Sequence, residues 1–274
     1  MSEKETRAPP CLDAERCPRA AACLENSKLC HELGRVGSYQ PCGIQRGTLM
    51  RGVAVTALLG LLFNVYALFA LSTHAKIIRA AAWGIGNTRK GFADDATLYY
   101  GLNAMVAYNN GENVYHKRWS RIDCHDYSVR ARSANMTKTK TRSDIQRCKN
   151  CKSELRGWST TVTVSAIASL VTLRYALKRS VAEMDRNCYK AMGIIVGCIA
   201  FATALGPMLA FRKTCLRART SEFKMQDGPG YICMVIACVM KSASIVAHLA
   251  LRAPGDPASE SVTRRLAWIS MDST

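Results

Sequence analysis

The sequence predicts an all-α membrane fold: a four-transmembrane-helix bundle with a small antiparallel β-meander in its long first loop. Two observations lead there. Apolar residues collect into four blocks separated by strongly charged segments, so a near-neutral mean hydropathy of -0.04 averages two unlike compositions. Asn110-Gly111 also stands between two aromatic and β-branched runs, the strongest short-range hairpin signal.

Residues 53–72, VAVTALLGLLFNVYALFALS, contain no charge. At 1.5 Å per residue such a run spans the ~30 Å hydrocarbon layer of a bilayer. Residues 191–211 are likewise uncharged and close against Arg212 and Lys213. Residues 158–173 are shorter and run into Arg174; Tyr175, Ala176 and Leu177 extend them if Arg174 snorkels to the interface. Residues 231–251 carry Lys241 near the centre and His248 near the end. The alternative for each block is a buried helix of a soluble protein, which is seldom so long and so evenly apolar around its circumference. The expected division is a polar, cysteine-containing, largely disordered tail (1–50), spans at 51–73, 158–178, 189–211 and 230–251, a long outer loop (74–157), a short inner loop (179–188), a short outer loop (212–229) and a polar tail (252–274).

No cleavable signal peptide or mitochondrial presequence is expected, because residues 1–50 are polar and Glu3, Glu5, Asp13 and Glu15 interrupt the basic residues. The first span then serves as the targeting signal. Orientation follows from the short loops. The side bearing the termini has Arg46, Arg51, Arg174, Lys178, Arg179, Arg186, Arg252, Arg264 and Arg265, against Arg212, Lys213, Arg217, Arg219 and Lys224 opposite. The long loop carries sixteen Lys and Arg, but loops of more than ~60 residues translocate largely regardless of charge. Both termini are therefore expected in the cytosol, in a plasma-membrane or endomembrane protein. The net charge of +18 would suggest nucleic acid in a soluble chain; here it is a property of loops, and no nucleic-acid partner is expected.

Within the long loop, residues 75–85 are β-compatible and end in the Gly-rich turn GIGNTRKG. Residues 96–108 and 113–122 flank Asn109, Asn110, Gly111 and Glu112, which makes a three-stranded meander over 75–122, with a helix through TLYYGLNAMVAY as the alternative. The stretch RARSANMTKTKTRSD reads as an exposed surface loop containing the sequon Asn135-Met136-Thr137, a glycosylation candidate if the loop is lumenal. Cys124, Cys148 and Cys151 are disulfide candidates. An oxidising compartment favours a bond from Cys124 to one of the other two, with the remaining thiol left for Cys215. The same Cys124, Cys148 and Cys151 with His125 would supply four zinc ligands in a cytosolic loop, although adjacent Cys-His is awkward for ligation.

This order of features resembles the claudin and PMP22 superfamily of tetraspans, with amastins and SUR7-like proteins as distant relatives. The matching loop positions are Trp83, Gly101 and Leu102, then Cys124 with Cys148 or Cys151. Gly-Leu is followed by Asn103 rather than Trp, Trp119 falls on the third expected strand, and the cysteine spacing is long. The resemblance implies cell-surface contact, membrane-domain organisation or barrier formation without catalysis.

In the spans, Lys241 is the most unusual residue. A lysine at mid-bilayer costs about 2.5–3.5 kcal/mol on insertion scales, and no span offers Asp or Glu to pair with it. Asn64, backbone carbonyls or a water-filled crevice remain, so Lys241 marks an ion or substrate path, a lysine held for an acidic partner helix, or a charge tolerated in a tilted helix. Gly193 and Gly197 form Gly-x-x-x-Gly, a close-packing helix face, and Gly206-Pro207 should bend or end that helix. Cys11, Cys17, Cys23, Cys30 and Cys42 in the tail are read as reduced thiols, with acylation of Cys42 or weak metal binding including His31 as alternatives. Enzyme signatures are missing: GIGNTRKG is neither a dinucleotide loop nor a Walker sequence, and Asp94-Asp95 is an isolated pair. The expectation is a non-enzymatic tetraspan without metal or cofactor, with the lipid bilayer and lateral protein partners or further copies of itself as partners. The alternatives are a transporter or channel component using Lys241, and an anchored protein with a cytosolic zinc-stabilised loop.

Overall fold

The computed structural model describes residues 46–88, 96–124, 138–181, 187–216 and 223–251. The chain is mostly helical. Helix α1 (Arg46–Leu68) continues as a 3₁₀ turn to Leu71 and is followed by a short helix α2 (Ala75–Ala81). Strands β1 (Gly84–Thr88), β2 (Thr97–Tyr100), β3 (Ala104–Asn109) and β4 (Glu112–Arg118) come next, with a 3₁₀ turn at Trp119–Arg121. Helices α3 (Lys138–Ser180) and α4 (Asn187–Phe211) follow; α4 runs into a π-helical turn (Arg212–Leu216), and β5 (Phe223–Asp227) leads into α5 (Pro229–Ala250). The tail residues Cys11, Cys17, Cys23, Cys30 and Cys42 with His31, the pair Asp94-Asp95, His125 and the sequon at Asn135 lie outside the described residues.

Among the described residues, four helical segments are long and apolar enough to cross a membrane: Gly47–Leu71, Cys148–Ser180, Asn187–Cys215 and Pro229–Ala250. They pack side by side, α1 against α3 and α5, and α4 against the same two. Large apolar side chains such as Leu62, Ile167, Leu170, Val239 and Val246 are more than half exposed, whereas Asn64, Ser165, Ser169, Thr172 and Lys241 are buried. A bundle with apolar residues outside and polar ones within is consistent with an integral membrane protein, because hydrocarbon leaves no apolar surface to hide.

Both strand-bearing loops lie at one end of the bundle, where they form one antiparallel sheet in the order β4-β3-β2-β1-β5. This differs from the expected meander in four ways. First, residues 75–81 are helical, because AKIIRAA combines helix-compatible residues with Ala75 and Ile78 packed on the sheet and Ala81 buried, and only Gly84–Thr88 is strand. Second, the run 96–108 is two strands, since Gly101-Leu102-Asn103 turns the chain between β2 and β3; Gly101 and Leu102 are turn residues and not strand residues. Third, Trp119 stands on the turn after β4. Fourth, the second outer loop contributes β5, which pairs with β1 over Gly84↔Asp227 to Thr88↔Phe223. The basic stretch read as a surface loop is helical from Lys138 onward, so Cys148 and Cys151 sit on α3 well before its apolar part.

Asn110 (φ 49°) and Gly111 (φ 89°) both adopt positive φ between Asn109 and Glu112, the two-residue turn that the Asn-Gly pair predicts. Alternation then sorts the sheet. Leu98, Tyr100, Met105 and Ala107 face the helices, with Trp83 and Phe211, while Ala104, Val106 and Tyr108 face α2.

Candidate functional site: the sheet-to-bundle junction and a buried lysine

The sheet is fastened to the bundle by backbone contacts that exclude side chains. Leu102 N donates to Ala70 O at the end of α1 (2.9 Å), and Gly101 N donates to Ala104 O (2.9 Å). A Cβ on Gly101 would come within 2.8 Å of Ala70 O and 2.9 Å of Ala104 O, so only glycine fits. Trp83 is fully buried; its Nε1 donates to Ala67 O at 3.2 Å, and its ring meets Phe211 and Tyr231 edge-on at 5.4 and 6.1 Å. Trp119 Nε1 donates to Gly101 O at 2.9 Å and stacks on Tyr100. Trp83, Gly101, Leu102 and Trp119 therefore converge on one junction. Gly228 and Gly230 complete it from the other loop, donating to Trp83 O (3.0 Å) and Ala82 O (2.9 Å). These two glycines were not singled out in the sequence; the signal was Gly-Pro-Gly at the mouth of an apolar block.

Among the described residues, two cysteine pairs lie at bonding distance. Cys124, after the sheet, pairs with Cys148 on α3, and Cys151 pairs with Cys215 on the turn after α4, with Cα separations of 5.7 and 5.2 Å. The helix decides the partners: Cys148 and Cys151, three residues apart, point in neighbouring but distinct directions on α3, one to Cys124 and the other to Cys215. Three of the four residues of the zinc alternative are thus held in two separate S–S pairs. Lys152 Nζ adds a bond to Ile122 O at 2.8 Å beside Cys124. Crosslinks closing loops of this length stabilise by about 3–4 kcal/mol each on chain-entropy grounds.

Inside the bundle, Lys241 on α5 is 6% exposed. Its Nζ donates to Ser165 Oγ on α3 (2.6 Å) and to Ala200 O on α4 (3.4 Å). The Asn64 amide orientation that satisfies both its ends places Oδ1 2.7 Å from the same Nζ. The ammonium therefore meets one acceptor from each of the other three long helices, and Ser165 Oγ itself donates to Ala200 O at 2.7 Å. The sequence expectation named Asn64 and backbone carbonyls; Ser165 was one of three serines in its apolar block and carried no distinguishing signal. Gly193 and Gly197 pack against α5: a Cβ would lie 3.2 Å from the His248 ring at the first and 3.0 Å from Ile245 Cγ1 at the second. The glycine face thus serves packing within the chain. Pro207 is accommodated within α4, where Gly206 faces the Trp158 ring.

At the opposite end, Arg179, Lys190 and His248 are buried together, a grouping absent from the sequence expectations. Arg179 Nη1 meets His248 Nδ1 at 2.5 Å, and its Nη2 donates to Leu251 O at 3.2 Å, which closes α5 against the end of α3. Among the described residues no group of three or more His, Cys, Asp or Glu is arranged to hold a metal ion. No protein-family model matches the chain, and no curated protein matches it in sequence.

Proposed function

We propose that this chain is a non-enzymatic tetraspan membrane protein of the claudin and PMP22 kind, acting in membrane organisation, cell-surface contact or barrier formation through its outer sheet and lateral association. The observation that supports this most is the junction. Strands from both loops at one end are combined into a single sheet, and that sheet is welded to the bundle through Trp83, Gly101 and Leu102. A sheet so rigidly mounted presents a fixed surface, which suits contact rather than turnover. Two S–S pairs in the same cap favour an oxidising compartment for this end, and with it cytosolic termini. We read Lys241 as a clamp between helices, since three acceptors surround its ammonium, and not as part of a transport path.

Topology tests the reading. In sealed vesicles with the cytosolic face outward, residues 90–150 should be protected from protease and cleaved only after detergent. Cleavage without detergent would refute the outer placement and the contact function with it.

A further inference from the structure

One face of the sheet has a composition that the proposed function does not explain. In β4, His116 pairs with Val106 and Arg118 with Ala104, so both basic side chains share the face on which Val106, Ala104 and α2 lie. The acidic residues of the paired strands fall on the other face: Glu112 opposite Asn109, and Asp227 opposite Gly84, whose β2 partner Tyr100 faces the helices. From α2, Arg79 lays its guanidinium over the Tyr108 ring at 4.8 Å and the Tyr99 ring at 5.9 Å, and Lys76 and Ile77 are exposed. Charge is therefore sorted across the sheet, and this face keeps only cations among its described charged residues.

The height of this face above the membrane is also constrained. Only Ser72, Thr73 and His74 separate α2 from the end of the first apolar segment at Leu71, and Tyr66, inside that segment, donates its hydroxyl to Ala80 O at 2.8 Å. Tyr66 lies about 8 Å below the end of the segment at 1.5 Å per residue, so the carboxyl end of α2 is held at headgroup depth. Arg118 sits at the same level, because its partner Ala104 is bonded through Gly101 to the turn that Ala70 O holds. Cations, a tyrosine and an exposed isoleucine at this depth form the composition that anchors at a bilayer interface. Edge pairing with another strand is disfavoured, since β4 carries a bulge opposite Ala107/Tyr108 and a row of basic side chains.

We infer that the face formed by Lys76, Arg79, His116 and Arg118 is a docking surface for acidic lipid headgroups of the leaflet around α1, so that the sheet reads the charge of its own membrane. This rests on the spanning arrangement but not on which side of the membrane the sheet occupies. A basic side chain near an anionic surface contributes about fivefold in association, and three or four of them at partial engagement give a preference of about tenfold.

The test uses the full chain in nanodiscs and measures relative association of spin-labelled phosphatidylserine and phosphatidylcholine. Wild type should prefer phosphatidylserine about tenfold at low salt, with the preference shrinking as salt is raised. The double variant Lys76→Glu/Arg118→Glu should abolish the preference, Arg79→Lys should largely keep it, and Lys117→Glu, a basic residue on the other face opposite Met105, should change it little. Unchanged thiol counts confirm the cap in each variant. Equal association of the two lipids with wild type would overturn the inference. So would an equal loss from Lys117→Glu, which would mean bulk charge alone, or face-dependent binding of heparin with no lipid preference, which would mean a soluble polyanion. None of these outcomes depends on the protease result, so the two proposals fail separately.

Discussion

Removing the Ser165 hydroxyl by Ser165→Ala isolates the worth of the buried clamp. Lys241 lies twelve residues into α5 from Pro229, about 18 Å along the helix, where neither end of the helix is within a lysine's reach of water. Ser165 supplies the shortest of its contacts, 2.6 Å. A hydrogen bond to a charged group contributes about 1.5–3 kcal/mol, and its loss leaves the ammonium with one acceptor fewer in a place that water does not refill. Ser165→Ala should therefore destabilise by about 2 kcal/mol. Lys241→Met removes the charge together with its desolvation cost and should be neutral or stabilising. In the Lys241→Met background, Ser165→Ala loses only neutral contacts, to Ala200 O and to the Asn64 amide, typically about 0.6 kcal/mol for such bonds between membrane helices. The double-mutant cycle should thus show a coupling of about 1–1.5 kcal/mol. Unfolding by sodium dodecyl sulfate in dodecyl maltoside micelles, followed by tryptophan fluorescence, measures each corner. Additive effects would refute the clamp. Strong destabilisation by Lys241→Met alone would show that the lysine carries more than the pair energetics described here.

The remaining predictions concern the junction, the covalent frame and packing. Gly101→Ala should lift the sheet from the bundle and cost about 2 kcal/mol or more by overpacking against backbone oxygens, seen as protease sensitivity of residues 74–124 at a temperature the wild type resists. Gly111→Ala, at φ 89°, should cost about 1 kcal/mol and loosen only the hairpin tip, read as faster amide exchange at Asn109 and Glu112 with the junction unaffected. Alkylation without reductant should leave Cys124, Cys148, Cys151 and Cys215 unmodified; the variant Cys151→Ser/Cys215→Ser should lower the apparent melting temperature while Cys124–Cys148 stays intact by mass. Gly193→Leu should collide with the His248 ring, 3.2 Å from the glycine's Cβ position, and destabilise the α4–α5 packing by about 1–3 kcal/mol, whereas Gly52→Leu, with nothing within 4 Å, should be tolerated.

What could be read in the sequence was local. Charge-free blocks produce helices wherever they stand, because an apolar run satisfies its own backbone only as a helix. Asn110-Gly111 turns because both residues tolerate positive φ. Lys241 announced a need for acceptors, and Asn64 was the conspicuous one within the other spans. The helical reading of residues 75–81 was missed because AKIIRAA is compatible with either state, and the choice fell to Ile78, which finds a covered site on the sheet only from a helix. The turn at Gly101-Leu102 was likewise hidden, since nothing local says that Ala70 O approaches there.

By itself, then, the sequence determined the four apolar helical segments, the Asn-Gly hairpin and the set of groups needing partners, all consequences of periodicity, backbone preference and desolvation over short stretches. Only the tertiary structure decided which groups meet: β5 on β1, Cys124 with Cys148, Cys151 with Cys215, Ser165 with Lys241, and Arg179 with His248. These residues are far apart in the chain, and their encounter depends on which helices become neighbours and how far each loop must travel to return. That is a property of the assembled bundle, and no short window of residues contains it.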